Sequence, residues 1–89
     1  MAMEPSSPVP GKAVLVRYFA MLRERRGLDH ETVVVLPGET AGALYARLFP
    51  VEFAGGLPVG FAVDQAYVGA EHVLQPGQEL VFIPPVGGG

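Results

Sequence analysis

The stretch Val81-Phe82-Ile83-Pro84-Pro85-Val86-Gly87-Gly88-Gly89 decides how the chain folds and how it ends. Val81-Phe82-Ile83 is β-branched and aromatic, the composition of a strand that packs into a core. Pro84-Pro85 cannot donate to a sheet ladder and holds φ near −65°, so the strand stops there and the chain leaves stiffly. Val86 to Gly89 has almost no side chain to pack. Four extended residues reach about 14 Å, far enough to enter a pocket on another protein. Glycine lets neighbouring backbone approach closely. The expectation is a chain that finishes a core strand and then presents its own C-terminus. The alternative is a flexible linker.

The strand pattern repeats upstream. In Ala13 to Phe19 (AVLVRYF), Val14, Val16 and Tyr18 share one face, and Leu15, Arg17 and Phe19 share the other. In Glu79 to Ile83, Leu80 and Phe82 share one face, and Val81 and Ile83 the other. Glu31 to Leu36 (ETVVVL) is a further strand, closed by Pro37-Gly38. Phe61 to Val63 and Tyr67-Val68 are strand pieces around a turn at Asp64-Gln65, and Glu71 to Leu74 is a short extended piece.

Two stretches read as helix. Ala20 to Arg26 (AMLRERR) is built of helix formers and stops at Gly27. Its arginines, Arg23, Arg25 and Arg26, are expected on a solvated helix end, with partner contact or carboxylate pairing as the alternative. Thr40 is an N-cap for a helix over Ala41 to Phe49, which Pro50 closes. Ala41, Leu44 and Leu48 lie on one face of it, and Gly42 weakens it by up to about 1 kcal/mol. Val51 to Gly60 reads as loop.

The order is strand, helical elbow, strand, helix, then two or three strands. This is a two-layer α+β domain: a β-grasp, or ubiquitin-like, roll with a mixed four- to five-stranded sheet on one main helix. In that arrangement the first and last strands lie side by side. Leu15, Phe19, Val81 and Ile83 then form an apolar patch on the sheet face away from the helix, where a partner would cover it. The expected organisation is a disordered lead-in over residues 1–12, the domain over 13–83 and a projecting tail over 84–89.

Composition narrows the function. The chain has 89 residues, 49% of them hydrophobic, which is one small domain. It has no cysteine, so disulfides, thiol nucleophiles and cysteine-held clusters are excluded. A net charge of −3, from 6 basic and 9 acidic residues, argues against a nucleic-acid surface. No apolar run approaches a membrane span and no signal-type segment opens the chain, so a soluble, cytoplasmic protein is expected. His30 and His72 are isolated, so no metal site is expected. Serine occurs only at Ser6 and Ser7, which removes a Ser–His–Asp constellation. The isolated chain is not expected to be an enzyme. Its one unusual reactive group is the α-carboxylate of Gly89.

The chain resembles a known family from about Val14 to Gly89. Val16-Arg17-Tyr18-Phe19-Ala20-Met21-Leu22-Arg23-Glu24, Thr40 to Leu44, Ala62-Val63-Asp64, Leu74 to Gly77 with Glu79, and above all the closing Pro84-Pro85-Val86-Gly87-Gly88-Gly89 are similar to the small subunit of molybdopterin synthase, the MoaD-type sulfur carriers. Three positions depart from the usual pattern: Asp64 stands for Asn, Gln78 for Asp, and Gly87 makes the tail more flexible.

The resemblance implies a role. The terminal glycine, Gly89, is adenylated with ATP by an E1-like, MoeB-type activating enzyme and converted to a thiocarboxylate. Gly88 lets the tail thread into the large, MoaE-type subunit, in an assembly implied to be a heterotetramer. There the sulfur passes to precursor Z to form the molybdopterin dithiolene of the molybdenum cofactor. The chain is then a non-catalytic sulfur-donor subunit with no bound cofactor. Phe19, Tyr67 and Ile83 match docking positions of the family. With Leu15, Val81, Pro84, Pro85, Val86 and Gly87 they make the expected partner surface. The alternative is a related carrier for thiazole, cysteine or tRNA thiolation, or a protein modifier.

Overall fold

The alternation along the first strand sets the layers. In the computed structural model, which describes residues 12–85, β1 (Ala13–Arg17) turns Val14 and Val16 into the core, and Tyr18 continues the same face. At α1 (Ala20–Arg26) the chain makes a short elbow that buries Leu22 and stops at Gly27, whose φ of 78° suits glycine. β2 (His30–Val34) returns antiparallel to β1. The main helix, α2 (Ala41–Leu48), is capped by the Thr40 hydroxyl, which accepts the Ala43 N–H at 3.1 Å. Its apolar stripe puts Ala41, Leu44 and Tyr45 onto the sheet.

The sheet is completed by β3 (Gly60–Val63), β4 (Ala66–Val68) and β5 (Glu79–Ile83), in the order β2-β1-β5-β3-β4. β1 and β5 are parallel neighbours at its centre, and the other pairings are antiparallel. A mixed five-stranded sheet with one helix across it is the β-grasp. The core gathers around Phe82, with the rings of Tyr18, Tyr45, Phe49 and Phe61 at centroid distances of 5.6–6.1 Å, mostly edge to face.

Several expectations are corrected. Residues 51–60 are not all loop: α3 (Pro50–Ala54) follows α2 almost directly. Pro50 closes one helix and opens the next, because its missing N–H is harmless at the first helical position. Glu71 to Leu74 does not form a strand; it contributes an isolated bridge, Thr40 to Val73. The second strand ends at Val34, although the Val35 N–H still donates to the Lys12 carbonyl at 2.9 Å. Gly42 has a packing reason that propensity could not show. A Cβ there would lie 2.9 Å from the Ala70 Cβ, and the Gly42 N–H donates to the Ala70 carbonyl at 2.9 Å. The arginines of α1 are paired rather than merely solvated: Arg25 holds Glu52 of α3 at 2.8 Å, and Arg26 holds Glu31 of β2. The expected disordered lead-in lies outside the described residues, apart from Lys12.

The β3–β4 hairpin turns on Asp64 (φ 49°) and Gln65 (φ 72°), both in the left-handed region as a two-residue type I′ loop requires. Asp64 is suited to this, and its carboxylate also accepts the Glu79 N–H at 2.9 Å. Gln65 is not suited. Replacing it with glycine removes a left-handed cost of about 1–2 kcal/mol, partly offset by greater freedom in the unfolded chain. Gln65→Gly is expected to stabilise the domain by about 0.5–1 kcal/mol, raising Tm by a few degrees in calorimetry. An unchanged or lowered Tm would mean that the turn is not strained.

Candidate functional site

The sheet has two faces, and α2 covers one. The register lines up the other. Arg17 of β1 lies opposite Val81 of β5, Val81 opposite Ala62 of β3, and Ala62 opposite Tyr67 of β4. The next row, nearer the chain's exit, pairs Ile83 with Gly60. Glycine there leaves Ile83 without a covering side chain. Phe19 continues the outward alternation two residues beyond Arg17 and is 52% exposed. Tyr67 is 84% exposed. Val81, Ala62 and Ile83 are half-buried.

Phe19, Tyr67, Val81 and Ile83 therefore fall on one face, as alternation predicts for Phe19, Val81 and Ile83 and as the family resemblance implies for Tyr67. Pro84 and Pro85 lead off it at the end of β5, Pro84 half-buried and Pro85 exposed. Leu15 is on the same face but not in the same cluster. Its neighbours are Thr32 and Glu79. Arg17 donates through Nε to the Glu79 carboxylate, and this ion pair runs diagonally between Leu15 and Val81. Val86, Gly87, Gly88 and Gly89 lie outside the described residues.

Sequence reasoning missed the Arg17–Glu79 pair and the part played by Gly60 and Ala62. Alternation within Gly60–Val63 could have found the latter two, since Phe61 and Val63 are buried. The ion pair depends on a parallel pairing between residues 62 positions apart and left no local signal.

Backbone geometry helps to present Phe19. Ala20, the first residue of α1, has φ 50°, unusual for a residue with a Cβ. The chain bends sharply there, leaving Phe19 exposed while Leu22, three residues on, is fully buried. The Leu22 and Arg23 N–H groups both donate to the Phe19 carbonyl, at 3.0 and 3.3 Å.

Charge on the domain is otherwise structural. Glu39, almost fully buried, accepts from both Arg47 Nε and Nη2 at 2.9 Å and from the Leu36 N–H at 2.9 Å. Arg47 Nη2 also donates to the Val34 carbonyl. The Arg47 hydrogen bonds outweigh burial and hold the Glu39 carboxyl below the usual range. Burial pushes Glu31 up, but bonds from Arg26 and Tyr18 leave it lowered overall. Burial, with Glu31 beside it, raises the Tyr18 phenol.

Both carboxylates are depressed in the folded state. Their stabilisation is complete above the ordinary glutamate value of about 4.3 and is lost as pH falls through the lower folded values. Arg47→Ala leaves a buried carboxylate without its cation. It is expected to cost about 2 kcal/mol at pH 7, and less at pH 3, where Glu39 can protonate. Denaturant unfolding at the two pH values checks this. An equal cost at both would remove the ion pair as the cause.

Among the described residues there is no group of three or more His, Cys, Asp or Glu placed to hold a metal ion. No helix among them is long and apolar enough to cross a membrane.

The family model for the ThiS family matches residues 16–89, from the middle of β1 to the last glycine. The chain belongs to the ThiS family. It has the fold of these ubiquitin-like sulfur carriers. The fold is also that of a putative molybdopterin converting factor subunit 1 from Pyrococcus furiosus, at 26% identity and TM-score 0.70 over 83% of this chain and 98% of that one. Two further structures share the fold at lower identity. One is small archaeal modifier protein 1 of H. volcanii, at 20% identity and TM-score 0.70 over 85% and 100% of the two chains. The other comes from a complex of subunits 1 and 2 of molybdopterin-converting factor from Helicobacter pylori 26695, at 21% identity and TM-score 0.56 over 86% and 99%. The ThiS-family match thus includes the strand that bears the outer face and the glycine tail that follows it.

Proposed function

We propose that this ThiS-family chain is the sulfur-carrier subunit of a molybdopterin synthase, working with Gly89 as its C-terminal residue. The observation that supports this most directly is the 26% identity to a putative molybdopterin converting factor subunit 1, over nearly all of that chain. It is joined by an outer sheet face with Phe19, Tyr67, Val81 and Ile83 on it. That face suits a larger subunit as partner, of the kind seen in the two-subunit complex from Helicobacter pylori.

The chemistry proceeds at the terminal carboxyl. The Gly89 carboxylate attacks the α-phosphorus of ATP on a separate E1-like enzyme, releasing pyrophosphate and forming an acyl-adenylate. Sulfide attacks the acyl carbon and expels AMP, leaving a thiocarboxylate. This sulfur is then transferred to precursor Z in the large subunit. Activation is needed because a free carboxylate has no adequate leaving group.

Docking and tail entry are one event. Ordering four tail residues costs about 4–8 kcal/mol, so the tail alone binds weakly. The folded face supplies affinity and makes tail insertion effectively intramolecular.

The test is intact mass and C-terminal fragmentation after incubation with ATP, an adenylating enzyme and sulfide. Replacement of one oxygen by sulfur at Gly89 is expected. Molybdopterin should then form when the large subunit and precursor Z are added. An unchanged terminus, with the enzyme competent on a known carrier, would defeat the proposal. The likeness to small archaeal modifier protein 1 supports a second reading, attachment to protein lysines. Recovery of the chain in amide linkage to lysine, with no molybdopterin formed, would favour it.

A further inference from the structure

A single strong cation stands on the outer face. Arg17 is the only arginine or lysine in the five strands. It opens the row Arg17, Val81, Ala62, Tyr67 that crosses the sheet, and Phe19 lies two residues beyond it on the same side. A partner that covers Phe19 and Val81 therefore covers Arg17 as well.

The guanidinium is held from within the domain. Its Nε donates to the Glu79 carboxylate. Glu79 is fixed in turn by the β3–β4 turn: its N–H donates to the Asp64 carboxylate and its carbonyl accepts the Asp64 N–H, both at 2.9 Å. Among the described residues, Arg17 Nη1 and Nη2 have no hydrogen-bond partner, and the side chain is 46% exposed. Arg47 is the contrast, with its Nε and Nη2 engaged by Glu39 and the Val34 carbonyl. Arg17 thus presents the end of a planar fork, already oriented, to whatever docks.

We propose, as a step that rests on the sulfur-carrier reading, that the large subunit sets an aspartate or glutamate carboxylate against Nη1 and Nη2 of Arg17. Docking strips water from these N–H groups, and a cation left there without an acceptor opposes binding. A carboxylate fits this end better than a carbonyl does, because its two oxygens match two parallel N–H bonds. With a net charge of −3, the chain as a whole does not attract an acid, so the attraction is local to Arg17. Such a contact fixes register and partner choice. It also closes the docked area on the β1 side, with Leu15 beyond it.

Surface plasmon resonance on the purified large subunit tests the proposal. Neither Arg17 nor Glu79 belongs to the core, so variants at both are expected to fold. Arg17→Leu should dissociate at least about 30-fold faster than the native chain, with Arg17→Lys between the two. The double variant Arg17→Leu/Glu79→Leu separates the partner's acid from the domain's own. It removes both halves of the ion pair and leaves the partner's carboxylate unpaired, so it should still dissociate at least about tenfold faster than the native chain. A self-contained pair would behave oppositely, since replacing both halves by leucine would restore or improve binding. Arg17→Glu should bind no better than Arg17→Leu until one Asp→Arg or Glu→Arg change in the large subunit restores it. Native-like dissociation of Arg17→Leu or of the double variant would overturn the proposal, as would a scan in which no such change restores Arg17→Glu. A native chain that does not bind the large subunit at all would instead defeat the sulfur-carrier reading itself.

Discussion

On the proposed sulfur-carrier function, removing Gly88 and Gly89 is expected to leave a folded domain that still binds a large-subunit partner and transfers no sulfur. Both residues follow the final strand and Pro84-Pro85 in the sequence, and neither carries a side chain that a core could lose. Thermal unfolding should therefore be unchanged within about 0.5 kcal/mol. Affinity for the large subunit should fall by no more than about tenfold. Whatever the last two residues add to binding is offset by the cost of ordering them, about 1–2 kcal/mol each. Sulfur transfer should drop to the background of the assay, because the acyl carbon is then at the wrong distance from both active sites. Two glycines span about 7 Å, far more than the roughly 3 Å approach that reaction requires. The truncated chain should also compete with the intact one for the large subunit. Single-turnover sulfur transfer, with and without the truncated competitor, reads both effects. Residual transfer by the truncated chain would show that its sulfur is not carried at Gly89.

The second large effect concerns the outer face. Ile83→Asp is expected to weaken binding of the large subunit at least 100-fold while the domain remains folded. An aspartate in the docked interface is an unpaired buried charge, and such losses reach several kcal/mol. In the free domain the same side chain is half-buried beside Gly60 and can reach water. Tyr67→Asp should behave alike, at still smaller cost to the fold given its exposure. Leu15→Asp is the informative control. Leu15 lies beyond the Arg17–Glu79 pair, between Thr32 and Glu79. If docking uses the Ile83 side of that pair, Leu15→Asp should change affinity less than about tenfold. Titration calorimetry on the three variants decides. Equal losses at Leu15 and Ile83 would mean that the partner spans the ion pair. Undiminished binding in Ile83→Asp and Tyr67→Asp would place docking on another surface.

Local sequence was most informative where a single period governed. Val14, Val16 and Tyr18 alternate without interruption, as do Leu80 and Phe82, and all five are buried. The Thr40 cap and the Gly27 stop were legible because each depends on one residue's side chain or φ. Pro50 was rightly read as closing α2, but α3 beyond it was read as loop, because proline marks a helix boundary without saying that another helix follows. Gly42 looked like a flaw in α2 until Ala70 appeared against it, a contact between residues far apart in the chain. For Gly42 the missing information was non-local.

The candidate site divides along the same line. The sequence alone supplied the expectation of a tail, since Pro84-Pro85 cannot extend a sheet ladder and Val86 to Gly89 carry almost no side chain. It also determined which residues of β1 and β5 share a side, because a period of two leaves no other choice. The tertiary structure decided which of those outward residues work together. Tyr67 joins Val81 only through two successive pairings, by way of Ala62. Leu15 is set apart from Ile83 only because parallel register brings Glu79 diagonally opposite Arg17. Strand register is a property of the assembled sheet, chosen by packing of the buried face, and the exposed face inherits it.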